Sequence, residues 1–220
     1  MIGRIIGRRR SGEAEALARI EKAWREQAAT LDLSWLGITA LPDRIGELAQ
    51  LRRLDVSDNR LAALPDAIGQ LARLETLDVS RNRLAALPDA IGRLAQLQGL
   101  YVFNSQLAAL PDAIGLLARL QELGVNFNQL TALPGAIGQL AQLQELDVSG
   151  NQLAALPESL RPLGLLKELY LHGNEKLGLP PEVLGPTLEE SGSQRPTAKP
   201  AAILDYYFRI RSRGGPPPPQ

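Results

Sequence analysis

Residues Leu51 to Arg73 read LRRLDVSDNRLAALPDAIGQLAR, and this phrase returns with substitutions every 23 residues. Its Leu-Pro pair keeps the beat, with prolines at Pro42, Pro65, Pro88, Pro111, Pro134, Pro157 and Pro180. A fixed period of this size is the mark of a solenoid, in which each repeat is one supersecondary unit. Within the phrase, Leu54 and Val56 alternate with polar residues, which predicts a short strand. The counterparts are Leu77 and Val79, Leu100 and Val102, Leu123 and Val125, Leu146 and Val148, and Leu169 and Leu171.

After the strand comes an asparagine, at Asn59, Asn82, Asn128, Asn151 and Asn174. A carboxamide turned inward both donates and accepts, so stacked repeats are expected to form a ladder of side-chain bonds to bare backbone groups. The second half of the phrase, from Leu64-Pro65 to Leu71, spaces its apolar residues by three and four. That spacing predicts a short helical turn opened by proline, which has no N–H to leave unpaired there. Gly46, Gly69, Gly92, Gly115 and Gly138 recur at one position, which suggests a tight or positive-φ step. No unit buries its leucines alone, so the units must stack and the ends must be capped.

The caps are legible too. Residues 13–29 are expected to form an N-terminal capping helix after a basic tail at 1–12. Leu17, Ile20, Trp24 and Ala28 would make its inner face, Ser11 its N-cap and Trp24 a core plug. The first strand, Leu31-Asp32-Leu33, is followed by Leu36 where later units carry asparagine. The repeats are expected over 30–185, about seven units. A turn-rich connector over 186–200 begins with Pro186 in place of the expected leucine. A helix over 201–213 would cover the last repeat with Ile203, Leu204, Tyr207, Phe208 and Ile210. Gly214 to Gln220 reads as a linker, which is expected to lead into further polypeptide.

Composition narrows the function. The 220 residues carry 24 cationic and 24 acidic side chains, so nothing draws the chain as a whole toward phosphate backbones or anionic lipid. Arg8, Arg9 and Arg10 read as a solvated tail. There is no cysteine, hence no disulfide, thiolate nucleophile or cysteine zinc site. The arginine-broken N-terminus is not a signal peptide and no long apolar run follows, so a cytoplasmic location is expected. His172, the sole histidine, has no metal-site or triad companions and reads as a surface or interface residue. With no phosphate-binding loop, metal cluster or catalytic constellation, the reading is a non-enzyme without cofactor.

Function is expected on the strand face whose side chains point away from the core. One column there runs Asp55, Asp78, Tyr101, Gly124, Asp147, Tyr170, and the next Ser57, Ser80, Phe103, Asn126, Ser149, His172. Aspartate and serine are the default. Tyr101, Phe103, Asn104, Asn126 and Phe127 interrupt it within two adjacent repeats. The chain has only nine aromatic residues, so three in one patch suggest a protein-binding hot spot. Arg53, Asp55, Asp78 and Arg81 would flank it on one side, Tyr170 and His172 on the other. The alternative, that Phe103 and Phe127 turn inward around Ser105, which replaces the ladder asparagine, stays open at this point.

The unit LxxLPxxIGxLxxLxxLxVSxNxL resembles the leucine-rich repeats of intracellular signalling scaffolds over about residues 30 to 180. The resemblance implies an α/β leucine-rich-repeat solenoid, a horseshoe arc with a parallel concave sheet and short helical turns on its convex side. The exit, Gly178 to Leu184 followed by Lys199 to Phe208, resembles the segment that joins such repeats to the GTPase domain of bacterial Roco proteins. That resemblance implies a regulatory repeat domain whose partner is the GTPase part of its own polypeptide, or an effector. None of the family's nucleotide-binding residues falls in this sequence. A free-standing adaptor, or the repeat part of a bacterial effector whose enzymatic domain lies elsewhere, are the other readings.

Overall fold

The structure, a computed structural model, describes residues 2–185 and 198–212, with side chains from Gly12 onward. Seven three-residue strands form one parallel sheet in sequence order: β1 (Thr30–Asp32), β2 (Arg53–Asp55), β3 (Thr76–Asp78), β4 (Gly99–Tyr101), β5 (Glu122–Gly124), β6 (Glu145–Asp147) and β7 (Glu168–Tyr170). Each strand pairs with the next at an offset of 23 residues, Leu54 opposite Leu77 and Leu77 opposite Leu100. The sequence period is thus the hydrogen-bond register itself. The central leucine of every strand is buried, and its two neighbours form the concave face.

Opposite the sheet, the proline half of each repeat folds as 3-10 turns, Asp43–Glu47, Asp66–Gln70, Asp89–Arg93, Asp112–Leu116 and Gly135–Gln139, then shorter ones at Glu158–Leu160 and Glu175–Leu177. Their bonds span three residues, as in Ile68 N–H to Pro65 O at 3.0 Å. The recurrent glycine has a different reason from a positive φ. A Cβ on Gly69 would stand 2.5 Å from Ala90 O, and one on Gly115 2.6 Å from Ala136 O, so the missing side chain lets successive turns touch. The leucines, isoleucines and valines of all units merge into one continuous core.

The asparagine ladder is present. Asn82 accepts from Leu61 N–H at 2.9 Å and donates to Val56 O and Val79 O, reaching from one repeat to the one before. Ser105 breaks it: its Oγ is buried without a hydrogen-bond partner. Serine is too short to span to the preceding repeat. We expect Ser105→Asn to restore the rung and stabilise the fold by about 1–2 kcal/mol, read as a higher denaturant midpoint. An unchanged or lower midpoint would mean that the site cannot accommodate the carboxamide.

Helix α1 spans Ile2–Arg25, so it begins far upstream of Glu13, and Ser11 lies inside it rather than at its N-cap. Extending an existing helix costs less than starting one, and arginine is a good helix former. Its inner face is also rotated from the expected one. Ala16, Ile20 and Ala23 are buried, whereas Leu17 and Trp24 are 48% and 46% exposed, so Trp24 is no core plug. Ile20 keeps its expected inward place and Ala28 packs beside the core, while alanines displace Leu17 and Trp24 because the helix lies very close to the first repeat: a Cβ on Gly12 would fall 2.1 Å from Leu36 O. The side chains of Arg8, Arg9 and Arg10 lie outside the described residues.

At the other end, the short α2 (Pro181–Leu184) packs on α3 (Pro200–Ser212). Helix α3 buries Ile203, Leu204 and Tyr207, with Phe208 half-buried beside them and Ile210 further out. Tyr207 accepts Leu156 N–H at 3.0 Å, and Arg211 donates to Ala154 O at 2.8 Å, which satisfies backbone left open at the last repeats. Most of the expected connector over 186–200, Pro186 included, and the expected linker lie outside the described residues.

Candidate functional site

Tyr101, Phe103 and Phe127 lie on the concave side at the strands and their exits. Phe127 is 54% exposed and points out, and Phe103 is half-buried. Asn104 is exposed and Asn126 half-buried beside them. Arg81 lies with its guanidinium carbon 5.8 Å from the Phe103 ring centroid and pairs with Asp58 at 3.6 Å, tying the charged flank to the patch.

Tyr101 sits where two glycines make room for it. A Cβ on Gly99 would lie 3.1 Å from its hydroxyl, and one on Gly124 3.4 Å from its Cδ1, so the ring spans both. Its hydroxyl donates to Glu122. Burial first, and that bond second, push the Tyr101 hydroxyl well above the ordinary tyrosine range, so it remains a donor. Next to it lies a shallow depression of about 230 Å³, with Gly124 at its centre, Tyr101 and Phe103 on one side and Glu145 and Asp147 on the other. Asp147 is only 5% exposed and its Oδ1 receives Ser149 N–H and Oγ–H at 2.9 and 2.6 Å. Desolvation still pushes its carboxyl above the usual carboxylate range. The folded state therefore holds this proton more tightly than the unfolded chain. Its contribution to stability is complete below the ordinary value and lost as pH rises through the raised one.

The strand exits explain the rim. Trp35, Asp58, Arg81, Asn104 and Phe127 occupy equivalent positions, and all have φ between 51° and 60°, as the glycines at the same place, Gly150 and Gly173, have positive φ. A bulky side chain in this left-handed region costs about 1–2 kcal/mol, a cost that Gly150 and Gly173 avoid. Phe127 lies against Gly150, where a Cβ would be 2.6 Å from its Cδ1. We expect Phe127→Gly to leave stability within about 1 kcal/mol of the parent, because relief of strain offsets lost chain stiffness and ring contact. A larger loss in thermal or denaturant unfolding would make the ring a structural element instead.

Two expected site residues do not belong to an open face. Tyr170 is buried, 1% exposed, with its hydroxyl on Glu168 at 2.6 Å. His172 is half-buried and its Nε2 lies 2.9 Å from Gly185 O. The physical reason is the exit path: the chain after β7 returns across this edge, which a solenoid must cover. Arg53 is exposed, and Asp55 and Asp78 are half-buried, the first holding Ser57 through Oδ1 and the second Ser80 N–H. Sequence reasoning missed Glu122, Glu145 and Asp147 as a group. Their signal was present, since the position before each central leucine turns from Arg53 and Thr76 to Glu122, Glu145 and Glu168.

The concave face offers an extended surface with a shallow depression at Gly124. Among the described residues, no group of three or more His, Asp or Glu side chains is placed to hold a metal ion. No described helix is long and apolar enough to cross a membrane.

Residues 41–127 match the family model described as a leucine-rich repeat region, and residues 111–175 match that of the leucine rich repeat. This chain is a leucine-rich-repeat domain. Its solved neighbours agree. A leucine-rich-repeat protein of Leptospira interrogans is 32% identical over 73% of this chain and 47% of its own, with a TM-score of 0.58. The leucine-rich-repeat domain of the type III effector XopL is 29% identical over 74% of this chain and 57% of its own, with a TM-score of 0.67. An internalin of Listeria monocytogenes, 19% identical over 70% of this chain and 48% of its own, shares the fold at a TM-score of 0.57. The repeat domain thus spans about half the length of the solved chains it matches. No curated protein matches its sequence.

Proposed function

We propose that this leucine-rich-repeat domain binds a protein partner on its concave face, with Tyr101, Phe103, Asn104, Asn126 and Phe127 as the central anchor. The observation that carries this reading is Phe127, an aromatic ring 54% exposed on a left-handed backbone where the two following repeats place Gly150 and Gly173. An open sheet face suits a polypeptide better than an enclosed small molecule. Replacing Tyr101 and Phe103 together by serine is expected to weaken partner binding by about 2 kcal/mol or more in a folded variant. Unchanged affinity would remove the anchor.

In its biological setting the domain serves, on this proposal, as the regulatory repeat part of a larger cytoplasmic Roco-type GTPase protein. Supporting it is the exit resemblance at Gly178 to Leu184 and Lys199 to Phe208, the stretches that contribute α2 and α3. The likeness to the repeat domain of XopL favours a second reading, the repeat part of a bacterial effector. Capture of the endogenous polypeptide from its source cells separates these. A mass far above 23.8 kDa with GTP-dependent retention on the capture resin supports the GTPase setting. A large polypeptide indifferent to GTP favours the effector, and a mass near that of the repeat domain leaves a free-standing adaptor.

A further inference from the structure

Although the chain as a whole balances its charges at 24 and 24, the concave face does not. The two positions flanking each buried strand leucine carry seven carboxylates, from Asp32 on β1 to Glu168 on β7, against Arg53 as the single cation. Arg81 stands at the rim, over Phe103 and paired with Asp58, while other cations such as Arg44 and Arg93 lie in the 3-10 turns. A curved face lined by one sign of charge concentrates ligands of the other.

The depression at Gly124 adds a chemical shape to this field. Its walls combine aromatic rings, Tyr101 and Phe103, with the carboxylates Glu122, Glu145 and Asp147. Rings attract a cation through their faces and carboxylates through charge, so the pair selects a positively charged side chain over a neutral apolar one. Gly124 leaves this space open where Asp32, Asp55, Asp78 and Asp147 stand at the same position of other repeats. Both hydrogen bonds from Ser149 fall on Asp147 Oδ1, so the second carboxylate oxygen can accept from a donor entering the depression.

We infer that the concave face takes a basic polypeptide segment and seats one arginine or lysine side chain in the depression over Gly124, between Tyr101 and Phe103 and the carboxylates Glu145 and Asp147. The inference rests on the reading of this face as a protein-binding surface and names the chemistry of its partner. The sheet edges and rim aromatics, Phe127 foremost, would contact the remainder of the segment.

A library of random linear peptides displayed on phage, panned on the full chain, tests it. Arginine and lysine should be enriched among the selected peptides. A synthetic winner should lose affinity about tenfold on Gly124→Gln, which fills the depression, and on Glu145→Lys, which reverses its charge. Its affinity should also fall with added salt. Circular dichroism of each variant separates lost binding from lost fold, and Asp147→Asn supplies a near-isosteric third variant if either unfolds. Winners that bind the concave face without basic residues would overturn the inference and leave the protein-binding reading intact. Basic winners indifferent to all three variants would overturn the seat at Gly124. If no peptide is enriched, or every winner is insensitive to Tyr101→Ser and Phe103→Ser, the protein-binding reading falls and the inference with it.

Discussion

Replacing Asn128 by leucine should destabilise the domain by about 3–5 kcal/mol, more than any other single change outside the apolar core. Asn128 accepts Leu107 N–H at 3.0 Å and donates to Val102 O at 2.7 Å and Val125 O at 3.0 Å, all within buried surroundings. Leucine matches its volume but offers no polar atom, so one N–H and two carbonyls lose a partner where water has little access. Each such loss costs about 1–3 kcal/mol. The position aggravates the effect, because the preceding rung is already missing at Ser105. Two consecutive empty rungs would weaken one interface in a stack held only by nearest-neighbour contacts. Denaturant titration should then show a lower midpoint and a broadened transition as the two halves unfold separately. A sharp transition within about 1 kcal/mol of the parent would show that the ladder is ornamental to stability.

The second large effect is steric. Gly115→Leu places its Cβ 2.6 Å from Ala136 O and 2.8 Å from Gln139 Oε1. The glutamine can swing away, but the backbone oxygen belongs to the next turn and cannot move without parting two repeats. The expected cost is about 3 kcal/mol, at the upper end for an overpacked site. Gly135→Ala is the matched control, since nothing lies within 4 Å of a Cβ there, and it should be neutral or slightly stabilising. Equal midpoints for the two variants would contradict the close approach of the turns.

Much of this architecture is legible in the amino-acid sequence, and the reasons show where reading along the chain stops. The 23-residue beat specifies strand register directly because stacked repeats pair residue by residue, Leu54 with Leu77 and onward. The ladder asparagines follow from the same beat. The recurrent glycine is visible too, but its cause is a neighbour 21 residues away in sequence, Ala136 O for Gly115, which no local conformational rule contains. Helical periodicity on α1 places Ile20 correctly, but beside it Leu17 and Trp24 lose the inward positions to Ala16 and Ala23. Closeness of packing decided that, and periodicity carries no information on distance.

The site divides along the same line. Tyr101, Phe103 and Phe127 stand out because they break a column, and a column is a sequence property. Tyr170 breaks the same column yet is buried, because the chain's return near Gly185, 13 residues after His172, crosses the edge. The acidic bias of the concave face is distributed over six of the seven strands, so it emerges only when outward positions are separated from the balanced whole.

The most direct test of the central claim, that the concave face is the binding surface, is site-specific photocrosslinking in the source cells. A photoreactive phenylalanine analogue is placed at Phe103 on the concave face or at Leu116, which is 63% exposed on the convex turns. A discrete crosslinked species is expected from position 103, to a partner or to another part of the same polypeptide, and none from position 116. Crosslinking from position 116 with none from 103 would place the interface on the convex side and contradict the claim.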